Sequence, residues 1–257
     1  DVVRHRIILT DDTPFKERSR PVAPSDFEDL RQHLKELLDS GVIRESHSPF
    51  ASPIVIVRKK SGKVRMTVDF RTLNKRTVKD NFNLPRIEDM FTCLAGSKWF
   101  STLDLKSGYY QVLMHEDDKE KTAFTCPLGF YEFNRLPQGV MNAPSTFQRL
   151  MERCLTGLNW KGCMVFLDDL VIYSDTLESH EHKLRQVFDA LAQYGLKLSP
   201  PKCKLFQTDV KYLGHVISQA GIATDPDKIS ALKSWPVPQN SKDLHSFLGF
   251  TSFYRKY

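Results

Sequence analysis

The chain has 257 residues, 40% hydrophobic and 26% charged. That is ordinary globular composition, with enough length to bury a sizeable core in one large or two smaller domains. Thirty-seven basic against 31 acidic residues give a net charge of +6, which permits a nucleic-acid partner without demanding one. No apolar run reaches the roughly 18 residues of a membrane span, and no signal peptide opens the chain. The five cysteines are widely spaced and form no CxxC pair, which argues against a zinc site or a disulfide framework and for reduced thiols inside a cell.

Residues 1–24 are polar, carry Pro14, Pro21 and Pro24, and read as an extended arm. Ser25-Asp26-Phe27-Glu28 has the pattern of a capping box. The helix behind it places Phe27, Leu30, Leu34, Leu37 and Leu38 on one face and ends at Gly41. Ile54–Val57 and Val64–Val68 read as two strands, joined by the basic, Gly-containing tip Lys59-Lys60-Ser61-Gly62-Lys63. Trp99–Leu105 is a further strand with Asp104 near its end. Asn142 is expected to cap a helix with Pro144 in its first turn and Phe147, Leu150, Met151 and Cys154 along it.

Cys163–Leu167 and Leu170–Tyr173 are apolar runs on either side of Asp168-Asp169, the pattern of a tight hairpin with an acidic tip. Leu184, Val187, Phe188 and Leu191 recur at helical spacing, and Gly195 closes that helix. Tyr212–Ile217 reads as one strand, Asp225-Pro226 opens a helix with Ile229, Leu232 and Trp235 inward, and Ser241 opens the last, with Leu244, Phe247, Leu248 and Thr251. Strands and helices mix without a regular βαβ alternation, which argues for an α+β fold. The chain begins without Met and stops inside a predicted helix, so a piece of a longer polypeptide is expected.

The chemistry concentrates in the acids. Adjacent anions at Asp168 and Asp169 repel, partial burial makes that worse, and a divalent cation relieves it. Asp104 at a strand end meets the pair if the two strands are neighbours in one sheet. Three carboxylates with few competing His or Cys ligands favour a hard ion, magnesium or manganese, held together with substrate phosphates. Taken alone, Asp168-Asp169 reads as a polar turn and Asp104 as a strand-end cap. His180-x-His182 is not read as a metal pair, because i, i+2 positions diverge on a helix, and both are expected to face solvent.

Six ordered blocks carry a resemblance. Val68-Asp69-Phe70-Arg71-Thr72-Leu73-Asn74-Lys75-Arg76-Thr77 resembles the fingers block of reverse transcriptases. Leu103-Asp104-Leu105-Lys106-Ser107-Gly108-Tyr109-Tyr110-Gln111 is similar to their first catalytic motif, Leu136-Pro137-Gln138-Gly139 to their nucleotide-contact motif, and Phe166-Leu167-Asp168-Asp169 to their acidic hairpin. Gly195-Leu196-Lys197-Leu198 with Lys202, then Tyr212-Leu213-Gly214-His215, match two later blocks. The tail Phe247–Arg255 points to the gypsy-like branch of LTR retrotransposons, whose Pol polyproteins are retrovirus-like. The resemblance runs from about residue 20 to the end of the chain.

The resemblance implies a right-hand polymerase fold. Residues 1–25 would be an arm, 26–97 and 113–145 fingers, 98–112 and 146–217 palm, and 218–257 the start of a thumb or connection. It implies RNA-directed and DNA-directed DNA polymerase activity, with two Mg2+ ions (Mn2+ as the alternative) held by Asp104, Asp168, Asp169 and the Leu105 carbonyl. Lys202 would be the general acid to pyrophosphate, with Lys204 as the fallback register. Lys59, Lys60, Arg65, Tyr109 and Gln138 would bind the dNTP, Tyr109 as a steric gate against the ribose 2′-hydroxyl. Leu213, Gly214 and His215 would form the primer grip. An RNA/DNA primer–template is the implied partner, with protease, ribonuclease H and integrase segments elsewhere on a parent polyprotein, no membrane, and an intracellular site of action in a cytoplasmic particle or the nucleus. Three other readings stay open: a polymerase making RNA, against which Tyr109 argues; an inactive or domesticated module that binds primer–template; and a nuclease using the same metals.

Overall fold

The computed structural model describes residues 3–58 and 64–253. Lys59, Lys60 and Lys63 of the basic tip therefore lie outside the described residues. The elements follow in chain order: β1 (Arg4–His5), α1 (Phe27–Asp39), β2 (Ile43–Glu45), β3 (Ser52–Arg58), β4 (Val64–Val68), α2 (Arg71–Arg76) and α3 (Ile87–Leu94). Then come β5 (Trp99–Asp104), β6 (Leu113–Met114), β7 (Phe124–Cys126), β8 (Gly129–Phe133) and α4 (Ala143–Cys154). The remainder holds β9 (Cys163–Phe166), β10 (Asp169–Ser174), α5 (Leu177–Gln193), β11 (Lys204–Gln207), β12 (Asp209–Tyr212), β13 (His215–Ser218), β14 (Gly221–Thr224), α6 (Pro226–Lys233) and α7 (Ser241–Phe253). Helices and strands are mixed as expected.

The chain forms two compact units, Asp1–Leu84 with Ser107–Arg153, and Pro85–Lys106 with Cys154–Tyr257. In the first unit a five-stranded sheet runs in the order β2-β8-β7-β3-β4. Phe124, Phe133 and Phe70 bury their rings in its core, where aromatic pairs add to plain area burial. Helix α1 buries Leu30, Leu34 and Leu37, the stripe expected from its spacing, and Gly41 follows it in the left-handed conformation. The arm is tied down along its backbone: β1 pairs in parallel with β6, Leu9 bridges Thr77, and Lys16 bridges Ala51.

The second unit is built on a four-stranded sheet in the order β11-β5-β10-β9, with β12, β13 and β14 forming a separate meander. Strand alternation sorts the main sheet into two faces. Phe100, Met164, Val171 and Tyr173 on one face join Met90, Phe91 and Leu94 of α3 and Val210, Tyr212 and Ile217 of the meander in a single core. On the other face α5 packs through Leu184, Val187 and Leu191.

Several local expectations are corrected. The capping box does not form. A short 3-10 turn over Pro24–Asp26 precedes α1, Asp26 is the N-cap without a side-chain cap bond, and the Ser25 hydroxyl accepts from Arg58 instead. Asn142 stands before α4 with φ 65, but its amide group is spent on the preceding segment, accepting from Asp80 N and donating to Val78 O. Tyr212–Ile217 is two strands, not one. Leu213 and Gly214 have φ 47 and 79, so both sit in the left-handed region and close a two-residue hairpin between β12 and β13. Ile229 is exposed on α6, as are Leu244 and Leu248 on α7.

His180 is the largest departure. It is fully buried, not solvent-facing, while His182 is exposed. Its ring hydrogen-bonds Ser101 Oγ of β5 through Nε2 at 2.7 Å and Ser174 Oγ of β10 through Nδ1 at 2.9 Å. Ser101 Oγ in turn accepts from Phe206 N of β11 at 3.1 Å. Two serines leave a polar notch in an otherwise apolar sheet face, and the imidazole fills it with both nitrogens satisfied.

Burial holds the His180 imidazole down at about 4, aided by the Lys183 charge. Burial also brings His5 of the first unit to about 4, against the opposing pull of Asp118 and Asp80. A lowered folded-state value means that the unfolded imidazole takes the proton first. This contribution to stability is therefore fully present above the ordinary value of 6.5 and is lost as pH falls from 6.5 toward 4. Urea midpoints of the chain should be lower at pH 5 than at pH 7.5, and His180→Gln should narrow that gap. A gap as wide in the variant as in the parent would contradict the role given to His180.

Candidate active site

The acidic hairpin is built as its sequence suggests. Strands β9 and β10 pair with Phe166 opposite Asp169, which leaves Leu167 and Asp168 as a two-residue tip. Leu167 has φ 54 while Asp168 does not, the positive-φ pattern of a type II′ turn. A branched side chain in that region is strained, and such strain is kept where the surroundings over-determine it. Strand β10 also pairs antiparallel with β5, in a register that sets Asp169 directly opposite Asp104. Paired residues share a sheet face, so the two carboxylates rise from the same face at the same end, with Asp168 beside them at the tip.

Backbone bonds fix this corner. Asp104 O accepts from Ser199 N at 2.8 Å, and Lys106 N donates to Lys197 O at 2.9 Å. These bonds flank the bridge between Leu105 and Leu198, so the Leu105 carbonyl stays outside that ladder. Tyr212 OH donates to Asp169 O at 3.4 Å, anchoring the hairpin tip to the 213–214 turn. His215 is buried, with its ring edge-on to Phe91 and Nδ1 against Leu213 O at 3.1 Å.

The electrostatics are those of crowded anions. Burial pushes the Asp168 carboxyl up, the charges of Asp169 and Asp104 push it further, and Lys202 pulls it back. Asp169 is raised by partial desolvation and by Asp104. Lys202 Nζ lies 3.2 and 3.3 Å from the two Asp104 oxygens, a bidentate ion pair. Asp168 Oδ1 is buried and has no hydrogen-bond partner. An orphaned carboxylate oxygen is costly and points to a missing ligand.

Among the described residues no group of three or more His, Cys, Asp or Glu is closed enough to hold a metal ion by itself. The donor set still suits a hard cation. It is all oxygen, its anions repel one another, and one buried oxygen lacks a partner. Magnesium is characteristically held by one or two carboxylates plus substrate phosphates, not by a complete protein cage.

In the first unit the loop of Gln138 and Gly139 is braced from α2. Asn74 Nδ2 donates to Gly139 O at 2.8 Å, and Asn74 Oδ1 accepts from Met141 N at 2.8 Å. Gly139 has φ 91, a conformation that favours glycine. Arg65 donates to Gln138 Oε1 at 2.7 Å, so two residues expected to meet the triphosphate touch each other. The Tyr109 ring packs against Phe147 with centroids 5.3 Å apart, and Tyr110 stacks on Phe133 at 6.2 Å. Asp69 accepts from Arg71 Nε and N and pairs with Arg20, which locks the start of α2. The bracing roles of Asn74, Asp69 and His180 escape a reading of motifs, because each acts through a partner more than 40 positions away.

Comparison with known proteins agrees with this geometry. Residues 57–217 match the family model described as reverse transcriptase (RNA-dependent DNA polymerase). The retrovirus-related Pol polyprotein of transposon 297 from Drosophila melanogaster is 36% identical over 262 residues, covering all of this chain and 25% of that protein. The Pol polyprotein of transposon gypsy, from the same organism, is 38% identical over 257 residues, covering 97% of this chain and 25% of that protein. A foamy viral protease-reverse transcriptase solved with dsDNA superposes with a TM-score of 0.90 at 28% identity, over 99% of this chain and 53% of that one. The same viral protein solved with an RNA/DNA hybrid gives 0.86 at 28% identity, over 98% of this chain and 34% of that one. The chain belongs to the reverse transcriptase (RNA-dependent DNA polymerase) family and has the right-hand polymerase fold. Its similarity to gypsy-type Pol polyproteins agrees with the branch expected from its tail motif, and it spans about a quarter of the length of those relatives.

Removing one anion should ease its neighbours. In Asp104→Asn, carboxyl carbon-13 titrations should show the Asp168 and Asp169 values moving down, and in Lys202→Met the Asp168 value should move up. Unmoved titrations in both variants would contradict the clustering.

Proposed function

We propose that this chain is the polymerising part of a retroelement Pol polyprotein, copying RNA, and then DNA, into DNA from dNTPs. The reaction joins the primer 3′-oxygen to the α-phosphorus of the dNTP and expels pyrophosphate. The observation that carries the reading is the register that pairs Asp169 with Asp104 beside the orphaned Asp168 oxygen. Two Mg2+ ions, bound most directly by Asp104 and Asp168 with Asp169 and the Leu105 carbonyl in support, would supply a lowered hydroxyl pKa and charge neutralisation at the leaving group.

The chain's own side chains do the rest by positioning and electrostatics, which dominate phosphoryl-transfer catalysis. Asp104 and Asp168 are set side by side at the hairpin end by the β5–β10 register and the two-residue tip. Lys202, whose Nζ pairs with Asp104, would serve as the general acid to the departing pyrophosphate. In the first unit Arg65 offers a planar fork to phosphate oxygens, oriented by Gln138. Lys59 or Lys60 is the further triphosphate contact. Tyr109, braced by Phe147, fills the space a ribose 2′-hydroxyl needs. The hairpin turn at Leu213, Gly214 and His215 holds the primer end. In the resulting scheme 1–25 is an arm, 26–97 and 113–145 are fingers, 98–112 and 146–217 palm, and 218–257 the start of a thumb or connection. The same reading carries an intracellular particle as the place of action and further segments of the parent polyprotein as partners.

Primer extension on an RNA template tests this directly. Asp168→Asn should cut extension by on the order of 10³-fold while keeping hybrid binding. Undiminished synthesis would overturn the assignment, and binding without extension by the parent would favour an inactive module. Tyr109→Ala should relax discrimination against ribonucleotides by roughly 10- to 100-fold. Discrimination equal to the parent would refute the gate.

A further inference from the structure

Strand β11 pairs irregularly with β5, and the irregularity lies just past Lys202. Lys204 pairs with Thr102 and Gln207 with Phe100, so two residues of β11, Leu205 and Phe206, stand against Ser101 alone. That is a β-bulge, a feature that recurs beside active sites and re-aims a neighbouring side chain. Phe206 sits in it with φ 52, a conformation that an aromatic residue keeps only where its surroundings impose it. We propose that His180 is a positioning residue for Lys202: acting through Ser101, it pins this bulge and so sets the Lys202 ammonium on Asp104. The inference rests on the reading of Lys202 as the general acid.

His180 touches Phe206 in two ways. Ser101 Oγ accepts from Phe206 N at 3.1 Å and lies 2.7 Å from His180 Nε2. The His180 ring also meets the Phe206 ring edge-on, with centroids 5.5 Å apart. On its far side Nδ1 is 2.9 Å from Ser174 Oγ, which donates to Thr176 O at 3.2 Å. With the imidazole proton on Nδ1, every donor in this series finds an acceptor: Phe206 N on Ser101, the Ser101 hydroxyl on Nε2, Nδ1 on Ser174, and the Ser174 hydroxyl on Thr176 O. His180 and Ser101 are fully buried, so solvent does not replace a bond lost from the series.

Lys202 needs such a hold. Its side chain is 66% exposed, and at that exposure its ion pair with Asp104 does little to fix it. Its place is set by the backbone on either side. Before it, the short turn Pro200–Lys202 hangs from β5 by Ser199 N, which donates to Asp104 O at 2.8 Å. After it, the chain enters β11 at Lys204, and the bulge decides how β11 lies on β5. Pairing without the extra residue would move Lys204 one place along β5 and turn its side chain to the other face. The Ser101–His180 contact is therefore the far anchor of the segment that presents Lys202.

Single-turnover extension of a primed RNA template by the full chain, with Mg2+ and dNTP, separates positioning from general support. Lys202→Met should slow the step by roughly 100-fold or more, as loss of a general acid does. Ser101→Ala, a small cut that leaves the apolar core in place, should slow it by on the order of 10-fold while dNTP affinity stays within about 2-fold of the parent. In a Lys202→Met chain the same cut should cost less than about 2-fold, because a residue that acts through Lys202 then has nothing left to position. The Phe206 amide should exchange its proton roughly 10-fold faster in Ser101→Ala. His180→Leu should be as slow as Ser101→Ala, and His180→Gln, which keeps a donor and an acceptor, should recover part of the rate. An unslowed Ser101→Ala, or equal costs in both backgrounds, would overturn this inference alone, since general loosening of the sheet slows both chains alike. Extension by Lys202→Met at the parental rate would overturn the general-acid assignment, and the role given to His180 with it.

Discussion

One alignment of backbone governs the chemistry of this chain. The antiparallel register of β10 on β5 puts Asp169 across from Asp104, and the two-residue tip puts Asp168 next to both. Like charges directly opposite on a sheet destabilise it, so nothing in the packing of the strands favours this choice of residues. What keeps it is the surrounding scaffold. The Asp104 carbonyl is tied to Ser199, the Asp169 carbonyl to Tyr212, and the strained Leu167 is held between two well-paired strands. Such an arrangement makes sense when a cation joins it.

The two faces of the second unit's sheet divide the labour. One face carries the carboxylates at its end and, behind them, the core shared by Phe100, Val171, Tyr173, Tyr212 and Ile217. The other face carries the Ser101–His180–Ser174 bridge, which joins β5 and β10 and, through Phe206, β11. The strands that present Asp104, Asp169 and the segment after Lys202 are thus fastened from behind by a polar tie through one imidazole. In the first unit the same principle recurs, with Asn74 bracing the loop of Gln138 and Gly139 by two hydrogen bonds. Preorganised donors and charges, not flexible ones, are what transfer of a phosphoryl group rewards.

Much of this was legible in the residues. Apolar runs flanking Asp168-Asp169 specified the hairpin, and ordered blocks specified the family. Short runs of β-prone residues found β3, β4 and β5, and the helical spacing of apolar residues found α1 and α5. The failures have physical causes. His180 lies at i−4 and i−7 to Leu184 and Val187, so it sits on the buried stripe. Its polarity suggested solvent because the two serines that receive it are 79 and 6 positions away. Tyr212–Ile217 read as one strand because Leu213 is apolar, and its left-handed φ is a property of the turn, not of the side chain. The capping box failed because Asp26 and Ser25 were drawn to Arg58 on a distant strand. The misreadings of His180 and of the capping box are long-range contacts overriding a local preference, and that of Tyr212–Ile217 is a turn hidden in an apolar run.

The central claim is that the carboxylate corner gathers a hard divalent cation. Manganese substitutes for magnesium at oxygen sites and broadens nearby NMR signals. Titrating Mn2+ into the labelled chain should broaden the amides of 104–105 and 167–169 first, and Asp168→Asn should weaken that selectivity while leaving the rest of the spectrum in place. Broadening spread evenly over surface acids, with 104–105 and 167–169 among the last affected, would contradict the account.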